Sequence, residues 1–247
     1  LHYLSLHAHL GVVGWFLLLV LGVGSRLIPM FLISKYNEPR VLWAVFILVN
    51  VALVLYGGFF LFGFAPALNL IPAALVLAGL LLFANYCRKA YIERIRKKVD
   101  DQMRTSLLAV ALLLLPTLVL IVLIVALLIT TGAQANVVLL YGFTIFFGWL
   151  TAIILGMTFK TLPFIVWNKV YRHRAALGKM PSPKDIFSHP VYKAMAATYL
   201  AGFVLFGCGI LRGETLLLKV GAAVLLASAF LYNWNVIKLL LHEPFKK

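Results

Sequence analysis

The chain has 247 residues, 64% of them hydrophobic and 12% charged, with a mean hydropathy of +1.03. A soluble domain is roughly half apolar and a quarter charged, so this balance excludes a water-soluble fold and defines an all-α integral membrane protein. The net charge of +15 raises nucleic acid as a partner, but where the charges fall argues against it.

Seven apolar runs follow one another, each long enough for a helix to cross a hydrocarbon core of about 30 Å and none with the strict alternation of a barrel strand. The chain opens at Leu1 on LHYLS, already the lead-in to a helix, and at least one further helix is expected upstream. The first span is predicted from Leu10 to Ser34, with Arg26 near its far end, where it can snorkel to the interface. The second, Val41 to Ala65, and third, Leu68 to Tyr86, are separated only by Pro66 and Ala67, which predicts an antiparallel hairpin. Then comes a basic link over residues 87–105, where Tyr91, Ile95, Val99 and Met103 recur every four positions and predict an amphipathic helix, extending span three or lying on an anionic lipid surface. A solvated connector is the other reading of that link. Span four is predicted from Leu107 to Thr131 and span five from Val137 to Phe159. The second basic link, residues 160–190, has an aromatic first half and a turn-rich second half holding Pro181, Pro183 and Pro190. Spans six, Tyr192 to Leu211, and seven, Leu216 to Leu240, complete a single helical membrane domain over residues 1–247.

Twenty of the 22 lysines and arginines fall on one face of this arrangement, and only Arg212 and Lys219 on the other. The positive-inside rule then puts the N-terminus outside and the C-terminus in the cytoplasm. Glycines at 11, 14, 22 and 24 in span one and 57, 58 and 63 in span two are expected to admit a neighbouring helix or a flat macrocycle. Cys87 and Cys208 read as small apolar packers rather than a disulfide or metal site.

All seven acids lie in links or tails, which argues against a proton pump or proton-coupled carrier. No Gly-rich phosphate loop and no His-Glu-x-x-His stretch occurs, so the sequence gives no support for a self-standing ATPase or membrane protease. What remains is histidine. His173, His189 and His242 belong to the basic face and read as solvated or capping groups, while His2, His7 and His9 gather at the outer end of span one. His7 and His9 project about 200° apart on a helix, so one faces the bundle and the other faces away. A bundle-facing imidazole is a good axial ligand for haem iron; interfacial histidines without a cofactor are the alternative.

The run Leu6-His7-Ala8-His9-Leu10, followed by Gly14-Trp15, by Gly22 and Gly24, and by Leu27-Ile28-Pro29, resembles the second transmembrane helix of haem-copper oxidase subunit I, above all in the nitric oxide reductase and cbb3-type branches. By that resemblance His7 is the axial ligand, and hence the metal-binding residue, of a low-spin haem b. His9 stands where the family has asparagine, and it takes the ligand role in place of His7 if the helix begins with a distorted turn; Arg212 or Lys219 is a candidate for the haem propionates. The resemblance also implies copper-site histidines in spans five and six, and there are none; no copper is expected, nor oxygen or nitric oxide reduction by this chain alone. SHPVY, from Ser188, is similar to the family's copper-helix motif but lacks a residue and falls on the cytoplasmic face. The expectation is a divergent relative that binds a b-type haem for electron transfer or sensing, among membrane lipids and other membrane subunits or an upstream part of the same protein. The alternative is a cofactor-free subunit that scaffolds a larger complex.

The charge asymmetry generates a direct test. A cysteine introduced between Thr131 and Asn136 should react with an impermeant thiol reagent from the periplasmic side, and one placed near Lys97 should not; the reverse pattern would overturn the orientation.

Overall fold

The structure, a computed structural model, describes residues 3–95, 97, 99–130, 134–172 and 181–243. Among them the regular elements are helices, and the one strand-like feature is an isolated antiparallel bridge between Ser34 and Arg94. Among the described residues seven helices are long and apolar enough to cross a membrane, the number the hydropathy predicts: α1 (Leu4–Leu32), α2 (Pro39–Leu61), α3 (Pro66–Ile92), α4 (Asp101–Ile129), α5 (Ala135–Tyr171), α6 (His189–Arg212) and α7 (Thr215–Leu240).

Hydropathy marks where lipid begins, not where a helix stops, and the two differ at the basic links. Helix α3 continues to Ile92 and α4 starts at Asp101, so the amphipathic stripe expected over 87–105 is divided between two helices and a non-helical turn. Arg94 closes that turn. Its Nη1 donates to the carbonyl of Tyr91 at 2.6 Å, an acceptor that the end of α3 leaves open, and its Nη2 to that of Lys97 within the turn at 3.3 Å. Helix α5 runs for 37 residues to Tyr171, about 55 Å at 1.5 Å per residue, and so extends well beyond a hydrocarbon core. Helix α4 is interrupted at Leu113, because Pro116 has no N–H for the Leu112 carbonyl.

The chain forms two compact units, Leu1–Val99 with Val110–Gly142, and Asp100–Ala109 with Phe143–Lys247. In the first, α1 and α2 run antiparallel: Ser5 near the start of α1 bonds Tyr56 near the end of α2 at 2.9 Å. The far end of α1 meets the far end of α3 through the Ser34–Arg94 bridge and the Ile95 N–H to Ile33 carbonyl bond at 3.1 Å. The core between these helices is apolar, with Leu32, Val49, Phe83 and Tyr86 at 2% exposure or less.

In the second unit, α6 and α7 form a hairpin about Gly213, whose φ of 68° is the left-handed cap that ends α6. Their backbones touch. A Cβ on Gly221 would lie 2.6 Å from the Phe206 nitrogen, and one on Gly209 2.9 Å from the Leu218 nitrogen. Farther along the seam Asn235, fully buried, accepts from the Ser188 N–H and donates to its carbonyl, both at 2.9 Å. Helix α5 meets the first turns of α4 in the same way, Gly156 lying against Ser106. Tyr192 on α6 donates to Thr105 at 2.8 Å, and Lys160 pairs with Asp100 at 2.9 Å.

The glycines expected to mediate close approach are mostly not the ones used. Gly14 and Gly24 meet Leu53 and Phe83, but Gly11, Gly22, Gly57, Gly58 and Gly63 have open space where a side chain would stand. The sequence places all of them on spans; only helix rotation decides which face a neighbour, and the tightest contacts fall at Gly156, Gly202, Gly209 and Gly221.

Gly221→Val should therefore force α6 and α7 apart and destabilise the protein by about 1–3 kcal/mol, the usual cost of overpacking. Gly58→Ala should be near neutral. Thermal unfolding of the two purified variants in one detergent separates them.

Candidate functional site

The two histidines of LHAHL diverge as their spacing requires. His7 is exposed, and His9 is partly buried toward the bundle. What turns His9 inward is the helix itself, which is wound as a π-helix from Leu10 to Leu17. An unbroken α-helix would set His9 about 120° from Leu21, twelve residues later. Wider π turns, at roughly 80° per residue, bring the two within about 40°. Leu21 is 5% exposed and Leu32 2%, so the π segment aligns His9 with the buried stripe of α1.

Every polar atom of the His9 ring then has a protein partner. Its Nδ1 lies 2.8 Å from the Ser5 carbonyl oxygen. A carbonyl only accepts, so Nδ1 carries the proton and Nε2 of the neutral ring keeps the lone pair. The Tyr141 hydroxyl, 3.2 Å from Nε2, donates to it. Tyr56 packs against the ring at 4.9 Å between centroids and bonds the Ser5 hydroxyl at 2.9 Å; its oxygen is 3.5 Å from Nδ1. Tyr141 stacks on the other side at 5.9 Å and 17°. Ser5, His9, Tyr56 and Tyr141 thus form one hydrogen-bonded cluster joining α1, α2 and the start of α5 within the first unit.

These tyrosines were not singled out in the sequence. The signal was present: a hydroxyl inside an apolar span needs a partner, because lipid offers none, and Tyr56 and Tyr141 sit in apolar runs next to glycine.

The donor chemistry distinguishes the histidines. Iron needs an imidazole lone pair, and that of His9 is engaged by Tyr141. The His7 ring has no hydrogen-bond partner among the described residues, and a Cβ on Gly11, four residues on, would meet nothing within 4 Å. The His7 ring leaves its lone pair free for a ligand from outside the described residues, whereas that of His9 is engaged. The bundle-facing histidine and the histidine matched by resemblance are therefore different residues.

The other candidates stand apart from this cluster in the chain's division. Arg212 ends α6 and Lys219 lies in the second turn of α7; both are exposed and belong to the second unit. His189 bonds the Lys184 carbonyl at 3.0 Å and packs on Phe187, and His242 bonds the Tyr171 hydroxyl at 3.0 Å. His2 and His173 lie outside the described residues. Cys87 is buried, whereas Cys208 is exposed. Among the described residues no group of three or more His, Cys, Asp or Glu side chains gathers, which concerns polydentate metal sites and not a single axial nitrogen.

The helices and their apolarity are those of a multi-pass membrane protein. Comparison with family models, curated proteins and solved structures finds no match to this chain.

Tyr141→Phe removes the donor to His9 Nε2 but keeps the stacked ring. It should cost about 1 kcal/mol, the net value of one hydrogen bond, and His9→Ala should cost more because it also removes ring packing. Melting temperatures of the two variants test the order.

Proposed function

We propose that this chain is a membrane subunit, divergent from haem-copper oxidase subunit I, that holds a low-spin b-type haem through His7 at the outer end of α1, for electron transfer or haem-dependent sensing. The observation that carries the reading is the contrast between the two imidazoles: His9 is locked by Ser5 and Tyr141, and His7 is open. His9 then serves to fix the rotation of α1, so that His7 is presented on the opposite side. When bound, haem would supply a one-electron ferric/ferrous couple; the chain would contribute the axial nitrogen and the open space at Gly11. A second axial ligand would come from another subunit or an upstream segment. No copper chemistry is part of the proposal, nor turnover of oxygen or nitric oxide by this chain alone. The basic ends would face the cytoplasm of a bacterial inner membrane, by the positive-inside rule.

The second reading, a cofactor-free scaffold, is favoured by one specific fact: both nitrogens of His9 are satisfied by protein groups. A reduced-minus-oxidised absorption spectrum of protein expressed with ample haem decides between them. The haem reading expects a b-type Soret band that His7→Ala abolishes and His9→Ala leaves in place with at most a shifted potential. Absence of the band would leave the scaffold reading the better one, and its loss in His9→Ala alone would overturn the assignment of the axial nitrogen to His7.

A further inference from the structure

At the basic end of the first unit, three isoleucines stand out of the protein beside cations that no carboxylate neutralises. The Ser34–Arg94 bridge draws the ends of α1 and α3 together into a small ledge. Ile33, Ile92 and Ile95 on it are 52%, 60% and 59% exposed. Lys35 follows the bridge on one strand and Lys97 on the other, and Arg88 lies one helical turn before Ile92; all three are exposed. The ion pairs among the described residues are Lys160–Asp100, Arg104–Asp101 and Lys193–Asp101, and none of these three cations takes part. Glu38 and Glu93, the acids nearest in sequence, pair with none of them.

Ile33 adds an independent observation. Its φ of 51° is the one left-handed value among the described non-glycine residues. It occupies the helix-ending position that glycine fills without strain, with the Ser34 N–H bonded to the Pro29 carbonyl at 2.9 Å. A branched side chain there is strained, and burial in the protein does not offset it. Strain kept at an exposed site points to something outside the chain that the side chain meets.

We infer that this ledge is a docking surface for anionic phospholipid: the isoleucines enter the acyl boundary, and Lys35, Arg88 and Lys97 bind the headgroup phosphates. The chemistry selects this occupant. A nucleic acid would use the cations but not the exposed isoleucines, and a second copy of the chain would bring like charge against like. The ledge also continues directly from the ends of α1 and α3, helices apolar enough to lie in lipid. The inference does not depend on haem binding.

The test uses the full chain in phosphatidylcholine vesicles, with spin-labelled phosphatidylglycerol or phosphatidylcholine as probe and the motionally restricted fraction as readout. At low salt the wild type should hold the phosphatidylglycerol probe several-fold more strongly, a juxtamembrane cation contributing about fivefold at the site itself. Lys35→Gln with Arg88→Gln and Lys97→Gln should remove most of that preference. Removing the same charge elsewhere, by Lys169→Gln with Lys184→Gln and Lys238→Gln, should leave most of it. Ile92→Ser with Ile95→Ser, which changes no charge, should weaken retention of the anionic probe. No preference in the wild type, equal loss in the two triple variants, or full retention in the serine pair would each overturn the docking surface. None of these outcomes bears on the Soret band.

Discussion

Hydrocarbon offers no hydrogen-bond partner, so a chain this apolar closes its backbone bonds within its own helices, and each polar side chain that enters the packed regions must find another protein group. Much of the architecture follows from that second requirement. Asn235 spends both ends of its amide on Ser188, fixing the start of α6 against α7. The Tyr199 hydroxyl lies 2.8 and 2.7 Å from the carbonyls of Phe147 and Gly148, inside the second π-helical stretch, Thr144–Leu150. There the widened turn and the intruding hydroxyl belong together, since a π turn leaves carbonyls poorly matched to the ordinary ladder. The His9 cluster is the same requirement met in the first unit.

The two π stretches share a logic. Each lets a polar side chain reach a partner without rotating the rest of a long helix out of its packed face. In α1 that side chain is His9 on the helix itself; in α5 it is Tyr199 arriving from α6. The histidine pair is thereby divided between two jobs: one ring consumed in holding the helix, the other left on the outside.

Apolar length made the seven spans legible, and Pro66-Ala67 the tight link between α2 and α3, because both depend on local composition. The helix ends at Ile92, Asp101 and Tyr171 were not legible, since they are set by contacts such as the Arg94 clamp and the Trp167 bond to the Pro181 carbonyl at 2.7 Å. The histidine spacing announced that the two rings diverge. Which of them turns inward was beyond the sequence, because the answer rests on the π winding from Leu10 to Leu17 and on Tyr141, more than a hundred residues away. The glycines misled for a related reason: composition shows where a backbone can be approached, and rotation decides whether it is.

The α6–α7 hairpin has a consequence for how the chain is made. Its seam joins residues that are neighbours along the polypeptide, across a link of only Gly213 and Glu214, so the entropy lost in bringing them together is small. Contacts of that kind form early and fast. The pair is suited to leave the translocation machinery as one inserted unit, already zipped at Gly202, Gly209 and Gly221, instead of as two helices that must find each other by diffusion in the bilayer.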